Sequence, residues 1–483
     1  MANKQILIAS NRGPVSFARN ENDQVMPKRG TGGLVTALTG ALQHSGGLWI
    51  ASAMTDEDRR QATAGRIDVS MPEGRYSVRY LAFEPETYER FYNRVSNSVL
   101  WFLHHYLWDI PRRPRFDAES SLDWAAYRAV NESFANALDE EGAGLPDAPA
   151  YLIQDYHLAL APELLRRRRP EARIAHFSHI PFAGPSYFRI LPASIRWELL
   201  TGLLGADVVG FQAGAWADNF LLCCRALPEA RVDLKRRLVR WQDRQIKVRL
   251  YPISIDVEAL KARAGTPEVA RARRRLRRVV GNAKLLLRVD RAELSKNILR
   301  GFQAYGAFLV EHPEWRRRVR FLALLNPSRT DLPEYADYIR ECLDEAARIN
   351  RELGEENWQP VEVSLEDDHD LSVAAFGMYD VLLVNPVYDG MNLVAKEGPS
   401  LNRRRGVLIL SENAGAHEEL GRHAIGINPF DVGATAEAIA TALDMGPAER
   451  NRRALGLRRA VRRGSVDRWV GAQLEDLRAE PSA

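Results

Sequence analysis

Residues 380–398 read DVLLVNPVYDGMNLVAKEG: an apolar run from Asp380 to Pro386, then Asp389-Gly390-Met391-Asn392, then Lys396-Glu397. A short apolar run bounded by turn-forming residues reads as a buried strand. Core packing has no use for the order Asp-Gly-Met-Asn at the exit of such a strand. In open parallel sheets, ligands sit beyond the carboxyl ends of the strands, and this is where those residues fall.

The same pattern extends in both directions. Strand-like runs in the second half are KLLLRVD, VRFLALL, VEVSL, DVLLVNP, GVLILS and AIGINP; in the first half they are QILIAS, GLWIASA, YSVRYLAF, AYLIQDY, RIAHFSHI, DVVGFQ and KVRLYPISI. Between them lie amphipathic segments such as ILRGFQAYGAFLVEH, apolar at helical spacing. Strands alternating with helices predict an α/β protein with parallel sheets, here two doubly wound domains. The expected boundaries are 1–256, 257–455 and a final segment, 456–483, whose helix packs back on the first domain. A length of 483 residues fits two cores.

With 46% apolar and 27% charged residues, the chain reads as an ordinary soluble protein, and no run approaches the ~18 apolar residues of a membrane span. The start, MANKQILIASNRGP, enters a strand-like run directly, so no export is expected. Three cysteines make no disulfide framework, and a cytoplasmic location is the expectation. Net charge is +4, carried almost wholly by arginine, with eight lysines in the chain. The arginine runs 166–169, 273–278 and 403–405 lack interleaved aromatics; the first two have acidic neighbours and read as solvated helix faces rather than nucleic-acid surfaces.

Five strand ends carry chemistry-bearing residues. Ser10-Asn-Arg12 is followed by Arg29-Gly-Thr-Gly32-Gly33, where glycines open a helix-like run; such a loop is either a tight turn or an anion site. Gln154-Asp155-Tyr-His157 places an aspartate where it either caps a helix or meets a ligand. In His176-Phe-Ser-His179 the histidines are three apart on a strand and point to opposite faces, which disfavours one shared metal; His179 is the candidate for the cleft. Val289-Asp-Arg291-Ala-Glu293-Leu-Ser-Lys296 offers two cations to one diphosphate. In the opening stretch, Gly390 permits a turn that presents the following amides, Asp389 accepts from sugar hydroxyls, and Glu397 accepts from a ribose. Cations for a diphosphate with acids for hydroxyls describe a nucleotide sugar. Arg291 and Lys296 neutralise a leaving group without a metal, so no metal and no cofactor are expected; the clusters Asp56–Asp58 and Glu366–Asp370 read as turns.

These segments, in this order, resemble the trehalose-6-phosphate synthase family of retaining glycosyltransferases, whose two Rossmann-like domains face across a cleft in the GT-B fold. The resemblance spans nearly the whole chain, and DGMNLVAKE and QDYHL are its most specific motifs. It implies donor contacts from Gly32, Gly33, Gly390, Met391, Asn392, Leu393, Val394 and Glu397, with Arg291 and Lys296 on the diphosphate and Asp389 and His179 on the transferred glucose. It implies acceptor contacts from Arg12, Tyr92, Trp101, Asp155 and Arg329, with Arg12 and Arg329 on a sugar phosphate. The implied chemistry is front-face transfer with retention, the leaving diphosphate taking the acceptor hydroxyl proton. UDP- or GDP-glucose and glucose 6-phosphate are the implied substrates, with no nucleic acid or membrane partner and a homo-oligomer left open.

Three departures stand out. A second tryptophan usual after GGLW is replaced in Trp49-Ile-Ala-Ser52; the loop usually reading Asp-Tyr-x-Lys-Gly is Ala292-Glu-Leu-Ser-Lys296-Asn297, without the glycine; the usual HIPFP reads His179-Ile-Pro-Phe-Ala183. The first and third bear on the acceptor more than on the donor. They are also similar to features of the related pseudo-glycosyltransferases, of the validoxylamine 7'-phosphate synthase type, which join a nucleotide-activated cyclitol to an amino-cyclitol phosphate. The intact DGMNLVAKE favours a true glycosyltransferase. Transfer to glycerol 3-phosphate and a non-catalytic nucleotide-sugar binding protein are the remaining alternatives.

Overall fold

The computed structural model describes residues 5–478 apart from 21, 31–34, 36–37, 39–46, 72–73, 146 and 331. The chain divides into two compact units, 1–253 with 466–483, and 254–465. Helix starts follow their capping residues: Thr55, Asp117, Asp256, Thr266 and Asp431 each accept a backbone N–H of the following first turn.

The first unit contains a ten-stranded sheet. From edge to edge it runs Arg231–Asp233, Leu238–Trp241, Arg244–Leu250, Val208–Phe211, Arg173–Ser178, Ala150–Gln154, Ile6–Ser10, Leu48–Ser52, Gly74–Leu81 and Arg66–Met71. Its seven central strands, from Arg244–Leu250 to Gly74–Leu81, are all parallel and coincide with the seven apolar runs of the first half. The edge strands pair antiparallel, and a separate hairpin joins Val15–Arg19 to Val25–Arg29. The helix Val466–Arg478 returns to this sheet. There Trp469 packs edge-on against Phe177 (4.9 Å between centroids), and Asp476 accepts from Tyr251 Oη at 2.6 Å. The helix before it, Pro447–Arg463, belongs to the second unit.

The second unit has six parallel strands in the order Val361–Ser364, Val319–Asn326, Lys284–Arg291, Val381–Val384, Val407–Ser411, Ile425–Ile427. Numbered by chain position this is 3-2-1-4-5-6, the doubly wound order that binds nucleotides where the order reverses. The reversal lies between Lys284–Arg291 and Val381–Val384. Both strands are buried almost throughout; Val381–Val384 is wholly apolar, while Lys284–Arg291 buries Arg288 and Asp290 among its apolar residues. Helices on the two faces seal a core that includes Phe302, Tyr305, Phe308, Phe321 and Trp358.

The arginine run 166–169 is ion-paired rather than merely solvated. Arg166 meets Asp207 at 2.8 Å, Arg167 meets Glu163 at 2.9 Å, Arg168 meets Glu132, and Arg169 meets Asp139 at 2.5 Å. The acidic runs serve local structure: Asp58 accepts the N–H of Phe17 at 2.7 Å, and Asp368 caps His369–Phe376. No group of three or more His, Cys, Asp or Glu among the described residues is arranged to hold a metal ion. No helix among them is long and apolar enough to cross a membrane.

Candidate active site

In the second unit the site residues gather at the point where the strand order reverses. The strand Lys284–Arg291 runs into a 3-10 turn, Leu294–Lys296, and then into the helix Ile298–Glu311. Asn297, between turn and helix, sits at φ 59° and ψ 41°, a left-handed conformation that Asn tolerates better than most residues. Its Nδ2 donates to Asn385 O at 3.0 Å and to Pro429 O at 2.7 Å. Asn297 thus holds a conformation that glycine would adopt freely and adds two ties to strand ends of the same sheet.

The loop after Val381–Val384 is organised by Asp389. Its Oδ2 receives Lys296 Nζ at 2.5 Å and Asn392 Nδ2 at 3.1 Å, and its Oδ1 receives the Met391 N–H at 3.3 Å. The first amide after Gly390 is thus taken up by Asp389. Asn392 adopts φ 76°, and its Oδ1 accepts from Ala395 N at 3.2 Å, starting the helix Val394–Leu401. Gly390 and Met391 are buried, with Leu393 and Val394 half-buried at the helix start. A Cβ at Gly415 would lie 2.0 Å from Gly390 O, so glycine is what lets the neighbouring loop close on this turn.

Glu397 stands in the first turn of that helix, and burial pushes its carboxyl up to about 7. Its neighbour Lys396 is 1% exposed and pairs with Glu419 at 2.5 Å; burial lowers its ammonium while Glu419 opposes the shift. Behind Arg291, burial pushes Asp290 up to about 6 against the pull of Arg288 and Lys296. The wholly buried Arg288 donates to Lys296 O at 3.2 Å and lies 3.7 Å from Asp290.

Arg329 comes to this second-unit group, and a carboxylate to which the sequence reading gave no role joins it to Arg291. Glu293 Oε1 lies 3.0 Å from Arg291 Nη1, 3.3 Å from Arg329 Nη1 and 2.8 Å from Ser328 Oγ. Burial opposes ionisation of Glu293, but the charges of Arg291, Arg329 and Lys296 and the Ser328 hydroxyl prevail and hold it at about 2.

In the first unit, Arg12, Tyr92, Trp101, Asp155 and His179 form a second cluster. Arg12 Nη2 donates to Tyr92 Oη at 3.3 Å. Tyr92 lies on Arg90–Leu100, a stretch wound with i→i+5 geometry of the kind that recurs at functional sites. Its ring stacks on Tyr88 (5.5 Å) and on His157 (6.0 Å). His157 Nδ1 in turn lies 3.9 Å from Asp155 Oδ2. Asp155 Oδ1 accepts the His179 N–H at 3.1 Å, and Trp101 reaches the cluster through Tyr156, 5.9 Å away between centroids. Asp155 adopts φ 72° and ψ 167°, a region nearly confined to glycine and a mark of stored strain.

His179 Nε2 lies 3.0 Å from Gln154 Oε1. Burial, with His176 adding to it, lowers His179 to about 3, so the imidazole is neutral at ordinary pH. His176 is 2% exposed, neutral, and bonded to Asp155 O at 3.1 Å. His157, Gln154 and Tyr88 were not singled out in the sequence. The first two stand inside QDYHL, so proximity to Asp155 was the available signal. Gly32 and Gly33 lie outside the described residues.

The remaining departures also have local explanations. Ser52 is fully buried and donates to Asn11 Oδ1 at 2.9 Å. Ala183 donates its N–H to His104 Nδ1 at 3.1 Å, a bond that proline cannot make.

Against known proteins, the match to Glycosyltransferase family 20 covers residues 4–479. The chain is 33% identical to the validamine 7-phosphate valienyltransferase of Streptomyces hygroscopicus subsp. jinggangensis, over 100% of this chain and 96% of that one. It is 34% identical to the trehalose-6-phosphate synthase of Mycolicibacterium paratuberculosis, over 98% and 95% respectively. The crystal structure of a UDP-forming α,α-trehalose-phosphate synthase from Burkholderia xenovorans in complex with glucose 6-phosphate superposes with a TM-score of 0.84 at 27% identity, covering 98% of this chain and 100% of that one. The fold is GT-B, the protein is a glycosyltransferase enzyme, and the chain belongs to glycosyltransferase family 20.

Proposed function

We propose that the protein transfers glucose from UDP- or GDP-glucose to glucose 6-phosphate with retention, giving α,α-trehalose 6-phosphate. The observation that carries this reading is the convergence of Arg291, Lys296, Asp389 and Asn392 at the strand-order reversal of the second unit. Arg291 and Lys296 neutralise the leaving diphosphate, which removes the need for a metal ion. The Asp389-to-Asn392 turn orients the glucose, Glu397 takes the ribose hydroxyls, and the neutral His179 ring is the first unit's contribution to the sugar site. For the acceptor, the first unit offers Arg12 with Tyr92, Trp101 and Asp155, and the second unit offers Arg329 as a cation for a sugar phosphate. The departing diphosphate accepts the proton of the attacking hydroxyl, so no side chain acts as nucleophile.

A second reading, coupling of a nucleotide-cyclitol to an amino-cyclitol phosphate, is favoured by one feature. Where related synthases carry a second tryptophan, this chain has Ser52, buried and bonded to Asn11. The similarity to the valienyltransferase supports the same reading.

The test is a turnover assay without added metal, offering UDP-, GDP- and ADP-glucose against glucose 6-phosphate, glycerol 3-phosphate and free glucose. Product mass and nucleotide release are both followed. A disaccharide phosphate formed from glucose 6-phosphate is the expected result. Nucleotide binding without sugar product from any pair would transfer the assignment to the cyclitol-coupling reading.

A further inference from the structure

We infer that Glu293 is a positioning residue that holds both phosphate-binding arginines, with Arg329 as a fixed arm and Arg291 as a movable one. The inference rests on the proposed function, deepening its account of how the diphosphate is met.

One oxygen of Glu293, Oε1, receives Arg291 Nη1, Arg329 Nη1 and Ser328 Oγ within 3.3 Å. Two guanidinium groups gathered on a single atom repel each other, and a carboxylate between them converts that repulsion into a stable triad. Glu293 has little freedom to follow either arginine. It is fully buried, its N–H donates to Arg291 O at 2.8 Å, and its carbonyl accepts from Lys296 N at 3.0 Å.

The two arginines differ in how firmly they are held. Arg329 is 12% exposed in its side chain, donates to Tyr335 Oη at 3.1 Å, and lies over that ring at 5.6 Å. Its backbone sits at φ 50°, so the loop commits it to this place. Arg291 is 50% exposed and stands at a strand end. It is the arm with room to turn toward a ligand while Glu293 holds its inner end. The same carboxylate thereby fixes one cation and limits the excursion of the other.

Two opposite outcomes separate positioning from plain electrostatics. If Glu293 acted only through its charge, removing that charge would strengthen binding of a diphosphate. If it positions Arg291, removing the charge lets the guanidinium groups move apart and weakens donor binding. The experiment compares Glu293→Gln with the unmutated enzyme, measuring kcat and KM for nucleotide-glucose and for glucose 6-phosphate. The expected result is a donor KM raised about tenfold, accompanied by a fall in kcat because Arg291 also meets the leaving diphosphate, and a smaller KM rise for the acceptor because Tyr335 still holds Arg329.

In an Arg291→Ala background the donor effect of Glu293→Gln disappears, since the residue it positions is gone. Should Glu293→Gln fail to fold, Glu293→Asp keeps the charge on a shorter arm. It is expected to raise the donor KM by a smaller factor, again only while Arg291 is present. A donor KM that falls or stays unchanged, a loss confined to kcat, or full additivity with Arg291→Ala overturns the inference. Absence of turnover by the unmutated enzyme across the substrate panel overturns the proposed function instead, and the inference falls with it.

Discussion

Lys296 Nζ lies 2.5 Å from Asp389 Oδ2, with the two side chains only 12% and 14% exposed. The pair links the loop after one central strand to the loop after the next, 93 residues further along the chain. Breaking a buried pair by removing one partner leaves an uncompensated charge, at a cost of about 3 kcal/mol. Lys296→Ala is therefore expected to lose that stability and also roughly 10²-fold or more in turnover. Arg291→Ala, at a half-exposed position, is expected to show a similar loss of turnover with stability changed by less than about 1 kcal/mol. Urea unfolding alongside steady-state kinetics checks both; near-normal turnover in the two variants would remove the diphosphate assignment.

Ala183 and His104 form a matched pair. Burial, with a contribution from His105, lowers His104 to about 3, and its Nδ1 accepts the Ala183 N–H at 3.1 Å. Ala183→Pro is expected to destabilise the first unit by about 1–3 kcal/mol, because it deletes the donor and leaves a buried acceptor unmade. Combining it with His104→Phe is expected to recover part of that loss, since the unsatisfied nitrogen goes as well. A double variant no more stable than Ala183→Pro would show that the bond is not what alanine contributes.

Glu397 gives a pH signature. Its folded carboxyl, at about 7, lies above the ordinary value of 4.5, so the folded state holds an extra proton between those two values. Stability contributed by the proton is present below that window and is lost as pH rises through it. Glu397→Gln is accordingly expected to stabilise the protein relative to the unmutated chain by about 2 kcal/mol at pH 8 and hardly at all at pH 4, while weakening nucleotide binding. Unfolding curves at the two pH values test this, and an equal difference at both would refute it.

Asp155 offers a trade between stability and function. Its backbone, at φ 72° and ψ 167°, stores about 1–3 kcal/mol that glycine would not incur. Asp155→Gly gives back part of this through the lost bond to the His179 N–H. The expectation is unchanged or slightly raised stability with the acceptor KM up about tenfold. A variant that is clearly less stable would place the importance of Asp155 in the fold instead.

The parallel strands were legible because each is a short, locally apolar run, and Leu285–Leu287 or Val381–Val384 can hardly be anything else. The antiparallel edge strands, such as Arg231–Asp233 and Val25–Arg29, were not, because they are short, charged or broken by proline. Among site residues, the turn from Asp389 to Asn392 could be anticipated because its chemistry is contiguous. Glu293 could not, because its role depends on Ser328 and Arg329, which the fold brings from the next strand's end, 35 residues away in the case of Ser328. Asn297 looked like a defect beside the usual glycine, yet only its φ of 59° shows that asparagine holds a conformation glycine would adopt freely.

The return of Val466–Arg478 to the first unit sets an order of events during synthesis. Residues 254–465 emerge as one uninterrupted stretch and hold everything their sheet needs. The first unit begins earlier but waits for residues 466–478, since Trp469 covers Phe177 and Asp476 anchors Tyr251. The sheet of the first unit thus closes only once residues 466–478 have been made, and until then the side of Phe177 that Trp469 covers remains open to chaperones or to wrong partners.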